Sequence, residues 1–516
     1  MKKMIIKPVD EMTIDEIIGQ VIMVGLPSTY LDETYKKLIE KYKIGNFILF
    51  ARNYSDTLQM KEFMNQLYQY TQEITGSFPL VSIDQEGGMV VRLFKDVTFP
   101  ASPLTTSATT VKNAIFDTGY IIGKDMLKLG LNLNLAPCLE INENLANPLV
   151  NVRGYGASKE VVLTNAKQFV EGMQKSGALS CLKHFPGAGS STKDSHLELP
   201  IIEEDREYLL NNNMYPFMNL LSSDALMSSH CVYKSFDDVP CTLSKKMLTD
   251  LLRNEYHYDG LIISDGMEMH AILDDYGIAK GTIMALNAGC DILLLCHDYE
   301  YQVEALEAVK EAINNNELSL DLLKEKVKRI NKAKEKILNG LNRFYTEDAY
   351  IINEEEHKLM EQIVDNSYTL IKGNAPVLTP NTLILSSRVN VASIVEDEFD
   401  TRNLTQMLKK NFNNDIIEFT KDADFSSKIL DIADKYANII IYSYDAYNDD
   451  IQKETINKLL ENKNNVYIVS LKGPIDQCYF KNLKNYSCLY EYTPNSIKTI
   501  IKQLKNEISL NGKLPL

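Results

Sequence analysis

The chain has 516 residues, 45% hydrophobic and 24% charged, a globular balance in a length too great for one ordinary core, so two domains are expected. A formal net charge of −16 with no clustered Lys and Arg argues against a nucleic-acid partner, and a neutral or modified substrate fits better. The eight cysteines are scattered without paired metal-ligand spacing, which points to reduced thiols and to no bound metal.

The amino-terminal stretch from Met1 to Asp10 carries basic residues but too short an apolar run for a signal peptide. No later apolar run is long enough to span a bilayer, so a cytoplasmic protein without membrane contact is the expectation. Apolar strand candidates then recur at 20–26, 45–50, 80–84, 131–136, 178–184, 225–229, 261–265 and 291–295, mostly with helix-length segments between them. Eight such units predict a TIM-type (β/α)₈ barrel over residues 1–341. Arg52, Asp84, Lys183, His184, His230, Asp265 and His297 fall at or just past the strand ends. In a barrel those ends converge on one face, so these residues are expected around one pocket.

A Lys/Glu-rich amphipathic helix over 318–341 closes this pattern, and a second helix over 354–371 lies in an expected linker, residues 342–375. Beyond it, strand candidates at 381–387, 438–444 and 465–471 alternate with helical stretches such as 450–462. That is the makeup of a smaller, doubly wound α/β domain over 376–516, whose role and the oligomeric state the sequence leaves open.

The densest chemistry follows the fifth strand. Lys183-His184-Phe185-Pro186-Gly187-Ala188-Gly189 leads into Asp194-Ser195-His196-Leu197-Glu198-Leu199-Pro200, placing a cation, imidazoles and carboxylates on one loop. Lys183 and His184 directly follow a strand, and two readings fit them: groups on a pocket floor, or a buried ion pair with a satisfied core histidine. Asp265 ends an apolar strand and precedes Gly266; it suits either a carboxylate on the barrel rim or the cap of the next helix. Gly187-x-Gly189 lacks the Gly-Lys-Ser/Thr of a phosphate loop, and no cofactor is implied.

These segments resemble the signature of the β-N-acetylhexosaminidases of glycoside hydrolase family 3, the NagZ-like branch. Ser264-Asp265-Gly266-Met267-Glu268-Met269 resembles the family's Ser/Thr-Asp-x-Leu-x-Met nucleophile motif. Asp84-Gln85-Glu86-Gly87-Gly88-Met89-Val90-Val91-Arg92 matches Asp-x-Glu-Gly-Gly-x-x-x-Arg, and Arg153-Gly154-Tyr155-Gly156 is similar to Arg-Ser-Phe-Gly. The resemblance spans roughly residues 12–341, with five motifs in family order. It implies Asp265 as nucleophile, His196 as acid/base beside Asp194, and Asp84, Arg92, Arg153, Lys183 and His184 as contacts to a terminal sugar. It further implies that Gly87-Gly88 turn close to the ligand. The chain departs from the family at Ala188, Ser190 and Ser191, where family loops often read His-Gly-Asp-Thr, and at Glu140, where Asp is usual.

The activity implied is that of a retaining exo-β-N-acetylglucosaminidase, freeing N-acetylglucosamine from cell-wall saccharides or muropeptides through a glycosyl-Asp265 ester. Rivals are a phosphorylase on the same scaffold, a β-glucosidase or β-xylosidase, and a non-catalytic carbohydrate-binding protein.

Overall fold

The computed structural model describes residues 4–143, 147, 150–188, 199–346, 349–387, 403–422, 424–463 and 465–515. Eight short strands form its first unit: β1 (Ile22–Gly25), β2 (Asn46–Leu49), β3 (Leu80–Ile83), β4 (Leu133–Asn134), β5 (Leu179–Phe185), β6 (Ala225–Ser228), β7 (Leu261–Gly266) and β8 (Ile292–Leu295). They close into a barrel in the order β1-β8-β7-β6-β5-β4-β3-β2, all parallel. The near-continuous apolar runs follow from this: one face fills the barrel while the other lies under helices, so Ile22, Met23, Val24, Phe47, Ile48 and Leu293 are all buried.

Parallel strands need crossover helices, and the sequence starts these with polar caps. Asp32, Asp56, Ser158 and Asp298 each accept from backbone N–H groups of the helices Glu33–Tyr42, Thr57–Thr75, Lys159–Ser176 and Tyr299–Asn314. Thr13 and Glu16 form a reciprocal capping box on Ile14–Val21.

β4 is shorter than the 131–136 expected. Pro137 has no N–H to offer, yet the pairing continues in single bonds: Cys181 N to Ala136 O at 2.9 Å, Lys183 N to Pro137 O at 3.0 Å and Leu139 N to Lys183 O at 2.7 Å. This extended run brings residues 138–140 alongside Lys183 and His184.

The second unit is a six-stranded sheet of β9 (Thr369–Lys372), β10 (Thr382–Ser386), β11 (Asp415–Glu418), β12 (Asn438–Ser443), β13 (Val466–Ser470) and β14 (Asn485–Cys488). Its order is β9-β14-β13-β12-β10-β11, parallel except for the β9–β14 pair. Helices cover both faces, as a doubly wound sheet requires: Phe425–Ala433 and Asp450–Asn462 pack on one, Glu354–Asp365 and Pro494–Leu504 on the other. The fold class expected from the sequence is the one observed.

The helix expected over 354–371 stops at Asp365. Ser367 Oγ turns back to donate to Val364 O at 2.8 Å, and Thr369-Leu370-Ile371-Lys372 adds an edge strand instead. The two units share one apolar core, in which Met89, Ala101, Leu104 and Val152 of the barrel pack with Ile363, Tyr442, Leu489 and Ile497.

Candidate active site

A cavity of about 660 Å³ opens at the carboxyl ends of the barrel strands. Asp84, Arg92, Arg153, Lys183, His184 and Asp265 all line it, although they come from four separate segments. His196 and Asp194 lie outside the described residues.

One wall is a chain of buried charges. Glu86 accepts from Arg153 through two parallel bonds, Nε to Oε2 and Nη2 to Oε1, each 2.8 Å. Lys183 Nζ sits 2.6 Å from Glu86 Oε1 and 2.7 Å from Asp84 Oδ1, and Arg92 Nη2 lies 3.6 Å from Asp84 Oδ2. Burial opposes ionisation of Glu86, but the charges of Arg153 and then Lys183 override it and hold the carboxyl well below the usual range. Burial likewise disfavours the Lys183 ammonium, and Asp84 with Glu86 outweighs that, raising its pKa. Both readings of Lys183 therefore hold: it is a buried ion-pair member that also faces the cavity. His184, half-buried, also lines the cavity, with Nδ1 3.1 Å from Glu140 Oε1.

Asp265 projects from the end of β7, with Oδ1 accepting from Gly266 N at 2.8 Å. The alternative of a helix cap fails, because the next helix, His270–Tyr276, begins after Met269 and takes no side-chain cap. His230 does not line the cavity. Its Nε2 lies 2.9 Å from Gly266 O, which can only accept, so this nitrogen donates and pins the turn behind Asp265.

Phe50, Arg52, Glu268 and His297 also line the cavity. Arg52 donates to Leu26 O at 2.9 Å, to Cys296 O at 2.6 Å and to His297 Nδ1 at 2.8 Å. A guanidinium cannot accept, so His297 Nδ1 is the acceptor; burial and the Arg52 charge lower its pKa and keep the ring neutral. The Glu268 carboxylate accepts from the backbone N–H groups of Cys296, His297 and Asp298 at 2.7–3.1 Å, fixing the loop after β8.

Gly87 and Gly88 sit at φ +107° and +60°, as the tight turn requires, but the close approach is to Ala101 and Ser102 rather than to the cavity. A Cβ on Gly87 would lie 2.2 Å from Ala101 O, and one on Gly88 2.3 Å from Ser102 Cβ. Ser102 N in turn donates to Glu491 of the second unit at 2.8 Å. Gly473 approaches the Arg153 turn so closely that a Cβ would stand 2.4 Å from Asn151 Oδ1. All the described cavity-lining residues belong to the barrel, and the second unit braces two of the segments that carry them.

Glu86 and Glu140 were not singled out as site residues by sequence. The available signal was the two-residue spacing from Asp84 to Glu86, which puts both on one side of an extended chain. Spacing along the chain also misses a second cluster. One donor atom each from Cys138, Glu140 and His184 lie within 4.8 Å of one another, a group able to hold a metal ion. No helix among the described residues is long and apolar enough to cross a membrane.

Residues 13–333 match the family model described as the glycosyl hydrolase family 3 N terminal domain. The chain is 30% identical over 372 residues to β-hexosaminidase A of Pseudoalteromonas piscicida, a stretch covering 67% of this chain and 62% of that protein. It is 29% identical over 322 residues to a β-hexosaminidase of Actinobacillus pleuropneumoniae serotype 5b (strain L20), covering 60% of this chain and 91% of that one. In structure it is similar to a glycoside hydrolase family 3 β-N-acetylglucosaminidase from Paenibacillus sp. str. FPU-7, with a TM-score of 0.89, 29% identity and 98% of both chains covered.

Proposed function

The chain belongs to glycosyl hydrolase family 3, and on that premise we propose that it is a retaining exo-β-N-acetylglucosaminidase acting in the cytoplasm on cell-wall-derived saccharides or muropeptides. The observation that carries this reading is the meeting of Asp265 with Asp84, Arg92, Arg153, Lys183 and His184 in one cavity.

Retention needs two displacements at the anomeric carbon. In the first, an Asp265 carboxylate oxygen attacks that carbon while the bond to the departing oxygen breaks, and His196 gives this oxygen its proton. In the second, His196 takes a proton from water as the water oxygen displaces Asp265, restoring both groups. An unperturbed histidine titrates near neutrality, and a carboxylate near it, the role proposed for Asp194, favours the imidazolium that donates.

Asp84 and His184 offer groups for vicinal hydroxyls, and Arg92, Arg153 and Lys183 hold that wall in shape through their carboxylate partners. The apolar bodies of Phe50 and Met269 line the cavity that Asp265 also lines. N-acetylglucosamine as the terminal sugar follows by analogy with the β-N-acetylglucosaminidase from Paenibacillus sp. str. FPU-7, to which the chain is similar over 98% of both chains.

The test compares p-nitrophenyl β-glycosides of N-acetylglucosamine and glucose, with and without inorganic phosphate. The N-acetylglucosaminide should be turned over far faster and give free sugar in both conditions. Preference for the glucoside, or a sugar 1-phosphate that forms only with phosphate present, would replace the proposal with one of its rivals.

A further inference from the structure

Cys138 and Glu140 stand two residues apart on the extended run that pairs with β5, so their side chains project to the same side. The pairing partner of Cys138 is Lys183, which places His184 next to both. The result is a thiol, a carboxylate and an imidazole whose donor atoms lie within 4.8 Å of one another, with His184 Nδ1 already 3.1 Å from Glu140 Oε1. Tetrahedral zinc bonds of about 2.0–2.3 Å separate ligand atoms by roughly 3.3–3.7 Å, so side-chain rotation closes this triad on an ion. Sulfur, nitrogen and oxygen donors together suit a borderline-soft cation rather than Mg²⁺ or Ca²⁺. Cys138 and Glu140 are buried, and His184 reaches from them to the cavity, which gives an ion a way in.

We propose that Cys138, Glu140 and His184 form a site for a thiophilic divalent cation such as Zn²⁺, and that filling it weakens sugar binding. Binding replaces the S–H bond of Cys138 with a sulfur–metal bond and releases that proton to solvent. It also takes His184 Nδ1 and the Glu140 carboxylate from each other and draws the imidazole toward Cys138, away from the cavity. The effect on sugar binding rests on the glycosidase reading; the metal site does not.

Two measurements on the full chain keep these apart. Co²⁺ added to chelator-treated protein should give a thiolate-to-cobalt charge-transfer band that saturates at one ion per chain and is displaced by Zn²⁺. Cys138→Val, similar in shape and without a donor, should lose the band while its circular dichroism and its KM without metal stay unchanged. In wild-type protein Zn²⁺ should raise KM for an aryl N-acetylglucosaminide with little change in kcat, and Cys138→Val should need about ten times more Zn²⁺ for the same effect, a loss of ~1.4 kcal/mol. Absence of the band, or a band of equal size in Cys138→Val, overturns the site. A band with KM unmoved by Zn²⁺, or equal zinc inhibition of both proteins, overturns the link to sugar binding.

Discussion

Arg153 and Glu86, 67 positions apart in the chain, meet in a bidentate pair that fixes one wall of the cavity. Glu86 also holds Lys183, so one carboxylate positions two cations drawn from separate turns of the barrel.

Glu86→Gln is therefore expected to act on stability and on sugar binding together. Removing one partner of a buried pair typically costs about 3–5 kcal/mol, and Lys183 keeps only Asp84. The sign of the pH dependence follows from the lowered carboxyl pKa: the stabilisation is complete above the unfolded value of 4.5 and is lost as pH falls through the lower folded value. Urea denaturation of wild type should show stability falling below pH 4.5, and Glu86→Gln should show a flatter acid limb. Parallel limbs would mean that the Glu86 carboxyl titrates alike in the folded and unfolded chain, so that its pKa is not lowered by folding.

Lys334 makes the opposite case at the far end of the barrel. It is fully buried, donates to Gln20 Oε1 at 2.8 Å, and burial pushes its pKa down to about 7 from 10.5. Between those values the unfolded chain binds the extra proton, so this residue makes stability rise with pH from about 7 to 10.5. Lys334→Met should flatten that rise in urea titrations, whatever constant offset the lost Gln20 bond adds. An unchanged slope would show that Lys334 stays protonated in the folded state.

His196→Ala separates the histidine from the carboxylates. Protonation matters most for poor leaving groups, so natural disaccharides should lose about 10²–10⁴-fold in rate and activated aryl glycosides far less. Azide added to the variant should attack the glycosyl-enzyme and appear as a β-glycosyl azide. Equal loss on all substrates with no azide product would assign the proton to another group.

What the sequence made legible was whatever depended on local pattern. All eight barrel strands announce themselves as apolar runs, and six of them carry a polar residue at or just past their ends, which is why Asp84, Lys183, His184 and Asp265 could be placed on one face. Glu86 and Glu140 were harder, because their roles depend on Arg153 and His184, whose positions only the closed barrel brings near. The edge strand Thr369–Lys372 hid for a different reason: its four residues continue the helical pattern of 354–365, and only pairing with β14 makes them a strand. His230 shows the limit of counting strand ends, since it sits at one and serves the turn behind Asp265 instead of the cavity.

The central claim is a covalent bond between Asp265 and the sugar, and labelling with a slow fluoro-sugar substrate tests it most directly. Mass spectrometry of the digested protein should find one glycosyl group per chain, on the peptide carrying Asp265. Asp265→Asn should take up no label, keep its folded far-ultraviolet spectrum and lose about 10³-fold or more in turnover. A label on any other residue, or an Asp265→Asn variant of near-normal activity, would contradict the account.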